Sequence, residues 1–287
     1  MTQSRESGGW ALVLGPGGPV GTAWLAGLAA GLRLAGVEPA AAEPIVGTSA
    51  GAIAGAMIAT GRELAAVAEL PLRGRDRPAA DGSVMVRALE LTGSPGLDPD
   101  EVRRRIGRLA LEAEALPEER HRAGMQFLVG TDEWPVRRTG RPRLLITAVD
   151  VESGKPVVWD DGSGIPLTAA VAASSAAPGF AEPVTIAGRR YMDGAFGGGS
   201  NAYLAAGANA CTGADADAGV VVLVEPIPQM SDGPGADVRI VPDERTLEAF
   251  GDNVGDMARW APAYREGLRQ APAAAELIGS VVSVPGG

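Results

Sequence analysis

The sequence predicts an α/β protein: a three-layer α/β/α arrangement with a mainly parallel central sheet and a helical insertion. Three observations carry this. The chain opens with strand, helix, strand and helix in succession, ending near Thr60. No convincing strand follows until Leu144. From Leu144 onward, strand signals return repeatedly. A βαβα opening is the pattern of parallel strands with helices packed on the sheet faces.

Each element has its own justification. "WALVLG" (10–15) is apolar on both faces and ends in glycine, as a buried strand does. The glycine-rich "GPGGPVG" (15–21) follows. A helical pattern then runs from about Pro19 to Ala35, with Leu25, Leu28, Leu32 and Leu34 in reach of one face. Proline suits a first helical position, and Gly36 suits a helix end. "PIVG" (44–47) is a second short strand, leading at once into a helix from Ser49 to about Thr60.

From Pro71 the character changes. Helical patterns lie at about 83–92, 98–114 and 117–128, the middle one opened by Asp98-Pro99. Residues 71–142 are therefore expected to be a helical insertion between strands. Strand signals follow at 143–151, 155–159, 183–188, 190–193, 219–226 and 237–241. A small-residue helix is expected at 165–175, with further helical stretches at about 200–207 and 243–270. The whole chain, 1–287, is expected to form a single domain whose tail, 270–287, is poorly anchored.

Composition limits the function. The chain is 46% hydrophobic but only 4% aromatic, so its core is built from Ala, Val, Leu and Ile. A net charge of −10 argues against nucleic acid as a partner. The charge is uneven: residues 71–143 hold 14 Arg against 12 acids, and the remainder 11 basic residues against 23 acids. The less acidic middle suits transient contact with a membrane surface, or simply solvated helix faces. Cys211 is the single cysteine, so no internal disulfide forms. The N-terminal apolar run, Trp10 to Leu14, is too short for a signal peptide. The uncharged stretches 45–61 and 165–181 read as buried helices, not membrane spans. A cytoplasmic location is expected.

One histidine, His121, excludes by count a metal site built on several His ligands. His121 lies in "PEERHRAGM", a strongly charged helical stretch, where a solvated surface side chain is expected. If Ser49 is a nucleophile, its base is then a carboxylate. In Gly47-Thr48-Ser49-Ala50-Gly51 the serine is flanked by glycines two residues away. A nucleophile on a strand-to-helix turn takes strained backbone angles, and flanking side chains would collide with strand and helix. With 41 glycines in the chain, the pentapeptide alone leaves nucleophile and ordinary turn about equally open.

In "GPGGPVG" the prolines lack an N–H, so Gly17 and Gly18 are the natural backbone donors for an oxyanion. A rival is a dinucleotide site: Gly15, Gly17 and Gly21 give G-x-G-x-x-x-G, and Glu38 stands at a plausible ribose distance. The remainder of the chain weakens it, because Lys155 is the only lysine and the residue four before it is Val151, not Tyr. A P-loop is excluded by the absence of Gly-Lys-Ser/Thr. Asp193, in "YMDGAFGGGSN", ends a strand. Asp-Gly is a common turn, but strand ends in α/β sheets gather ligand sites.

Together, "GPGGPVG", "GTSAG" and "DGA" resemble the patatin-like phospholipase family, which has a glycine-rich oxyanion loop, a Gly-x-Ser-x-Gly elbow and a late Asp-Gly-Gly or Asp-Gly-Ala. "ASSAAPGFAEPV" (173–184) and "DGAFGGGSNAYLAAGA" resemble flanking segments of the same family. The resemblance covers about 10–60 and 143–225. It implies a patatin-like fold and a serine lipid acyl hydrolase, with Ser49 as nucleophile, Asp193 as base, and Gly17 and Gly18 in the oxyanion hole. It implies an ester of a lipid or small alcohol as substrate, no cofactor and no metal. The insertion at 71–142 is expected to act as a lid or acyl pocket. Two departures stand out: Pro16 replaces the first glycine of the family loop, and Val20 replaces its Arg or Lys. A catalytically idle lipid-binding scaffold of the same family and the nicotinamide enzyme are the alternatives.

Overall fold

The computed structural model describes residues 9–70, 82–137, 143–207, 219–230 and 235–282. In chain order the elements are β1 (Trp10–Leu14), α1 (Gly18–Leu34), β2 (Ile45–Gly47), α2 (Ala50–Ala59), α3 (Gly82–Thr92), α4 (Pro99–Glu112) and α5 (Glu118–Val129). Then come β3 (Leu144–Asp150), β4 (Pro156–Trp159), α6 (Leu167–Ser174), β5 (Val184–Ile186), β6 (Arg189–Asp193), α7 (Ala195–Gly198) and α8 (Tyr203–Gly207). The chain closes with β7 (Val220–Val224), β8 (Val238–Ile240), α9 (Glu244–Phe250) and α10 (Trp260–Gly279).

Among the described residues the sheet has eight strands. Five run parallel in the order β3-β2-β1-β7-β8; β4 and β6 each pair antiparallel with β3, and β5 pairs antiparallel with β6. All five residues of β1 are buried, as the centre of a covered parallel sheet requires. Strand residues alternate between the two faces. Leu12, Leu14, Leu144, Ile146 and Ala148 join a large core with α1, α2, α5, α6 and α10. On the other face Val13, Leu145 and Leu223 pack with Ala202 and Ala205, while Val149 and Met192 pack with α3, α4 and Phe196. The result is three layers, with helices of the insertion on both faces of the sheet.

The register around β3 positions everything that follows. Ile146 pairs with Trp159 of β4 on one edge and with Gly47 of β2 on the other. Two residues on, Ala148 pairs with Val157 of β4 on the first edge, and on the second with Asp193 of β6. β2 and β6 therefore share one edge of β3 and meet end to end. A strand rises roughly 3.3 Å per residue, so the ends of β2 and β6 stand only about 7 Å apart along β3.

The helices expected at 83–92, 98–114 and 117–128 are α3, α4 and α5, and Asp98 caps α4 by accepting from the Glu101 amide at 3.1 Å. Asp243 caps α9 in the same way, accepting from Thr246 N at 2.9 Å. The single helix expected over 243–270 is split. Gly251 ends α9 at φ 65°, and the Asn253 and Asp256 side chains then bond to the nearby amides of Gly255 and Ala258. Such local bonds compete with helix continuation.

The tail is also corrected. From residue 270 the chain continues as α10 to Gly279, with Ala271, Ala274 and Ile278 buried, and Val282 buried beyond it. The reason is a tight helix pair. A Cβ on Gly267 would stand 2.2 Å from Trp24 O, and one on Gly27 would stand 2.0 Å from Tyr264 O. Backbones this close leave no room for side chains, and Trp24 Nε1 donates to Gln270 Oε1 at 2.8 Å across the seam. Residues 283–287 and Cys211 lie outside the described residues. The uncharged stretches 45–61 and 165–181 contain the buried helices α2 and α6. No helix of the described residues is long and apolar enough to cross a membrane.

Candidate active site

β2 stops at Gly47 and α2 begins at Ala50. Between them Ser49 holds φ 55°, ψ −115°, a left-handed conformation costly for a residue with a Cβ. Close backbone contacts hold it there. A Cβ on Gly51 would lie 1.9 Å from Leu14 O, and one on Gly47 would lie 2.6 Å from Ala52 Cα. The two flanking glycines are thus spacing requirements of the turn itself. Thr48 N donates to Leu14 O at 3.1 Å, and Gly51 N donates to Gly15 O at 3.1 Å. The elbow is in this way stitched to the end of β1 and to the glycine loop.

Asp193 ends β6, 3% exposed, and Ser49 is 7% exposed. The end-to-end meeting of β2 and β6 brings them together, and the Ser49 hydroxyl is among the groups that bear on the Asp193 carboxyl. Burial raises the Asp193 carboxyl to about 6, opposed in part by the Ala195 amide, which donates to Oδ1 at 2.9 Å, and by the Ser49 hydroxyl. Imidazole is not among the groups that set its acidity. The segment 174–176 ties both partners down. Ser174 Oγ accepts the Ser49 amide at 3.0 Å, Ser174 O accepts Gly194 N at 3.2 Å, and Ala176 O accepts Asp193 N at 3.0 Å.

Gly17 and Gly18 lie at the N-terminus of α1, and Gly18 takes φ 59°. Among the described residues neither amide is taken up by a backbone carbonyl. The loop is narrow: a Cβ on Gly17 would stand 2.5 Å from Pro226 Cβ, and one on Gly18 would stand 2.8 Å from Val254 O. Val20, where the family pattern has a cation, is fully buried, and its amide donates to Val254 O at 3.2 Å. Gly21 faces the start of α2, since a Cβ there would stand 3.7 Å from Ala50 Cβ.

His121 is not a surface residue. It is 6% exposed, and Nε2 lies 3.0 Å from Ala172 O and 3.2 Å from Ser175 Oγ. The charged residues around it in sequence face outward from α5, while His121 falls on the stripe packed against α6. Glu38, the ribose candidate of the dinucleotide alternative, bonds to Ala40 N and Arg33. It precedes β2, at the end of the parallel sheet away from the glycine loop. Among the described residues no group of three His, Cys, Asp or Glu is disposed to hold a metal ion.

Several polar residues around the site carried no individual signal in sequence. Thr48 and Thr147 place their hydroxyls 2.9 Å apart, and Asn201 reaches both. Ser200 donates to Glu225 Oε1 at 2.7 Å, and Arg239 Nε donates to Oε2 at 2.5 Å. Glu225 is fully buried beneath the glycine loop, where a Cβ on Gly15 would meet Ser200 Oγ at 2.6 Å. The chain offers two faint clues, a lone threonine within the apolar run "LLITAV" and a Ser-Asn pair after three glycines.

Comparison with known proteins gives one family match. The model described as patatin-like phospholipase matches residues 12–206. VipD and ExoU are among the solved structures similar to the chain. VipD from Legionella pneumophila shares 14% identity at a TM-score of 0.37, over 78% of this chain and 50% of that one. The type III effector protein ExoU shares 15% identity at a TM-score of 0.31, over 94% of this chain and 54% of that one. The chain thus spans about half the length of each. No curated protein matches the sequence.

Proposed function

The chain belongs to the patatin-like phospholipase family, and from that premise we propose that it is a serine lipid acyl hydrolase working through a Ser49–Asp193 dyad. The observation that carries this is the strand register that brings the buried Ser49 elbow and the buried Asp193 carboxyl to one junction, where burial lowers the acidity of the carboxyl toward neutrality. A base works best when its pKa lies near the working pH, and about 6 is nearer than the ordinary 3.8 of an aspartate.

In the first half-reaction Asp193 takes the Ser49 proton as Oγ forms a bond to the ester carbonyl carbon. The Gly17 and Gly18 amides hold the oxyanion, and the positive end of the α2 dipole adds to the same field. The carbonyl re-forms, the ester C–O bond breaks, and Asp193 passes its proton to the departing alkoxide. In the second half-reaction Asp193 takes a proton from water, which attacks the acyl-enzyme. Ser49 leaves with that proton, and the carboxylic acid is released. With a single histidine and a single cysteine in the chain, the mechanism calls on no metal or cofactor. The single domain extends over 1–287. α5, packed against α2 and α6, makes the insertion a wall of the acyl pocket, and contact with the lipid surface is peripheral and transient. The protein works in the cytoplasm.

The test pairs a fluorophosphonate probe with hydrolysis of a short p-nitrophenyl ester. Ser49→Ala is expected to lose both labelling and hydrolysis. Asp193→Asn is expected to lose about 10²–10⁴-fold in turnover, the usual weight of a general base. A Ser49→Ala protein that still labels and turns over ends the proposal.

A further inference from the structure

Between the two halves of the dyad stands a side chain to which the chemistry above gives no role. Asn201 follows α7 at φ 55° and is 1% exposed. Its Nδ2 donates toward Thr48 Oγ1 at 3.0 Å, Thr147 Oγ1 at 3.4 Å, Gly194 O at 3.3 Å and Gly199 O at 3.2 Å. Thr48 is the residue before the nucleophile, and Gly194 is the residue after the base. Thr147 lies on β3 between Ile146, the partner of Gly47, and Ala148, the partner of Asp193. One amide therefore bridges the gap at which β2 gives way to β6. No backbone ladder crosses that gap, because the two strands meet end to end and not side by side.

We propose, on the basis of the Ser49–Asp193 chemistry, that Asn201 is a positioning residue: its carboxamide holds the elbow and the Asp-Gly turn in register so that hydroxyl and carboxylate meet. The contacts are specific to an amide donor. Thr48 and Thr147 offer hydroxyls that already bond each other at 2.9 Å, and Gly194 offers a carbonyl. An amide NH₂ group carries two hydrogens, enough to serve both sides at once, where a hydroxyl carries one. The backbone does not ask for it, because glycine takes the left-handed conformation as readily as asparagine. The room around the junction is already full: a Cβ on Gly194 would stand 2.3 Å from Thr147 Oγ1. Reacting groups held within hydrogen-bond reach lose about 10²-fold in rate when displaced by roughly 1 Å.

Asn201→Gly separates the two roles, since it keeps the φ 55° turn and deletes only the amide. It is expected to fold, to bind ester with unchanged KM, and to lose about 10²-fold in kcat and in the rate of fluorophosphonate labelling. Thr48→Val removes the nearest acceptor without touching the left-handed residue, and reads the same coupling should Asn201→Gly not fold. Its kcat is expected to fall as well, and the double variant to lose less than the product of the two single losses. A folded Asn201→Gly protein with wild-type kcat and labelling rate overturns the inference. So does a loss confined to KM, and so do losses that multiply in the double variant. A wild-type protein that the probe does not label sinks the dyad itself. A labelled wild type beside an unimpaired Asn201→Gly sinks the positioning role alone.

Discussion

Asp193 and His121 carry opposite consequences of burial. For Asp193, burial outweighs the opposing pull of the Ala195 amide and the Ser49 hydroxyl and lifts the carboxyl to about 6. On the dyad mechanism kcat/KM should fall about tenfold per pH unit once the pH drops below about 6, as the base becomes protonated. A pH–rate profile on a p-nitrophenyl ester checks this, and a profile flat down to pH 4 counts against it. Asp193→Asn should flatten the limb at the level of its residual activity. For His121, burial makes the ring a packing and hydrogen-bonding part of the α5–α6 contact. His121→Ala removes the partner of Ala172 O and Ser175 Oγ, and should cost about 1–3 kcal/mol of stability. Turnover per folded molecule should survive. Denaturant melts beside active-site titration with the fluorophosphonate separate the two effects.

Among elements, the α1–α10 seam shows how small residues decide where a helix can run. Replacing Gly267 by alanine should gain up to about 1 kcal/mol from helix propensity. The added Cβ would meet Trp24 O at 2.2 Å, and backbone cannot step aside. Overpacking of this kind costs about 1–3 kcal/mol, so the clash wins and Gly267→Ala should lower Tm. A rise in Tm would show that the seam is looser than it is drawn. Truncation after Arg269 should destabilise more, because it strips Ala271, Ala274, Ile278 and Val282 from the core. The expectation of a loose tail failed because a run of alanines has little hydrophobic contrast in sequence. Its burial depends on glycines of another helix more than 200 residues earlier in the chain. The opening β1-α1-β2-α2 run was legible because strand length, the glycine ends and Pro19 are all local signals.

For the molecule as a whole, stability and activity pull on the same carboxylate. A folded-state value of about 6, raised from 3.8, means that the native state holds the Asp193 proton more tightly than the unfolded chain does. That contribution to stability is complete below about pH 3.8 and is lost as pH rises through about 6. At neutral pH the ionised form leaves the protein about 3 kcal/mol less stable than it would be without the shift, at about 1.4 kcal/mol per pKa unit. Asp193→Asn should therefore melt higher than wild type at pH 8, with the difference shrinking toward zero near pH 4. Equal melting temperatures at pH 8 would contradict this linkage. Asp150 works the other way. Burial tends to raise it, but the hydrogen bonds from Arg189 and Ser153 bring it down to about 2. Its contribution is present above about pH 3.8 and fades as pH falls through about 2, which adds to acid sensitivity.

The sequence by itself determined the order of the strands and of the main helices as far as β8, the glycine-flanked turn at Ser49 and the amide-bearing glycines at 17 and 18, because each depends on residues a few positions apart. It also brought out Asp193, as an acid at a strand end. Only the tertiary structure decided that β6 enters on the edge of β3 that β2 leaves, that His121 turns inward, and that Asn201 reaches across the junction. Those outcomes rest on strand register and on close packing between segments about 50 to 150 residues apart. Local pattern carries no record of which edge a distant strand will choose, since either edge satisfies its hydrogen bonds and only burial of the whole sheet distinguishes them.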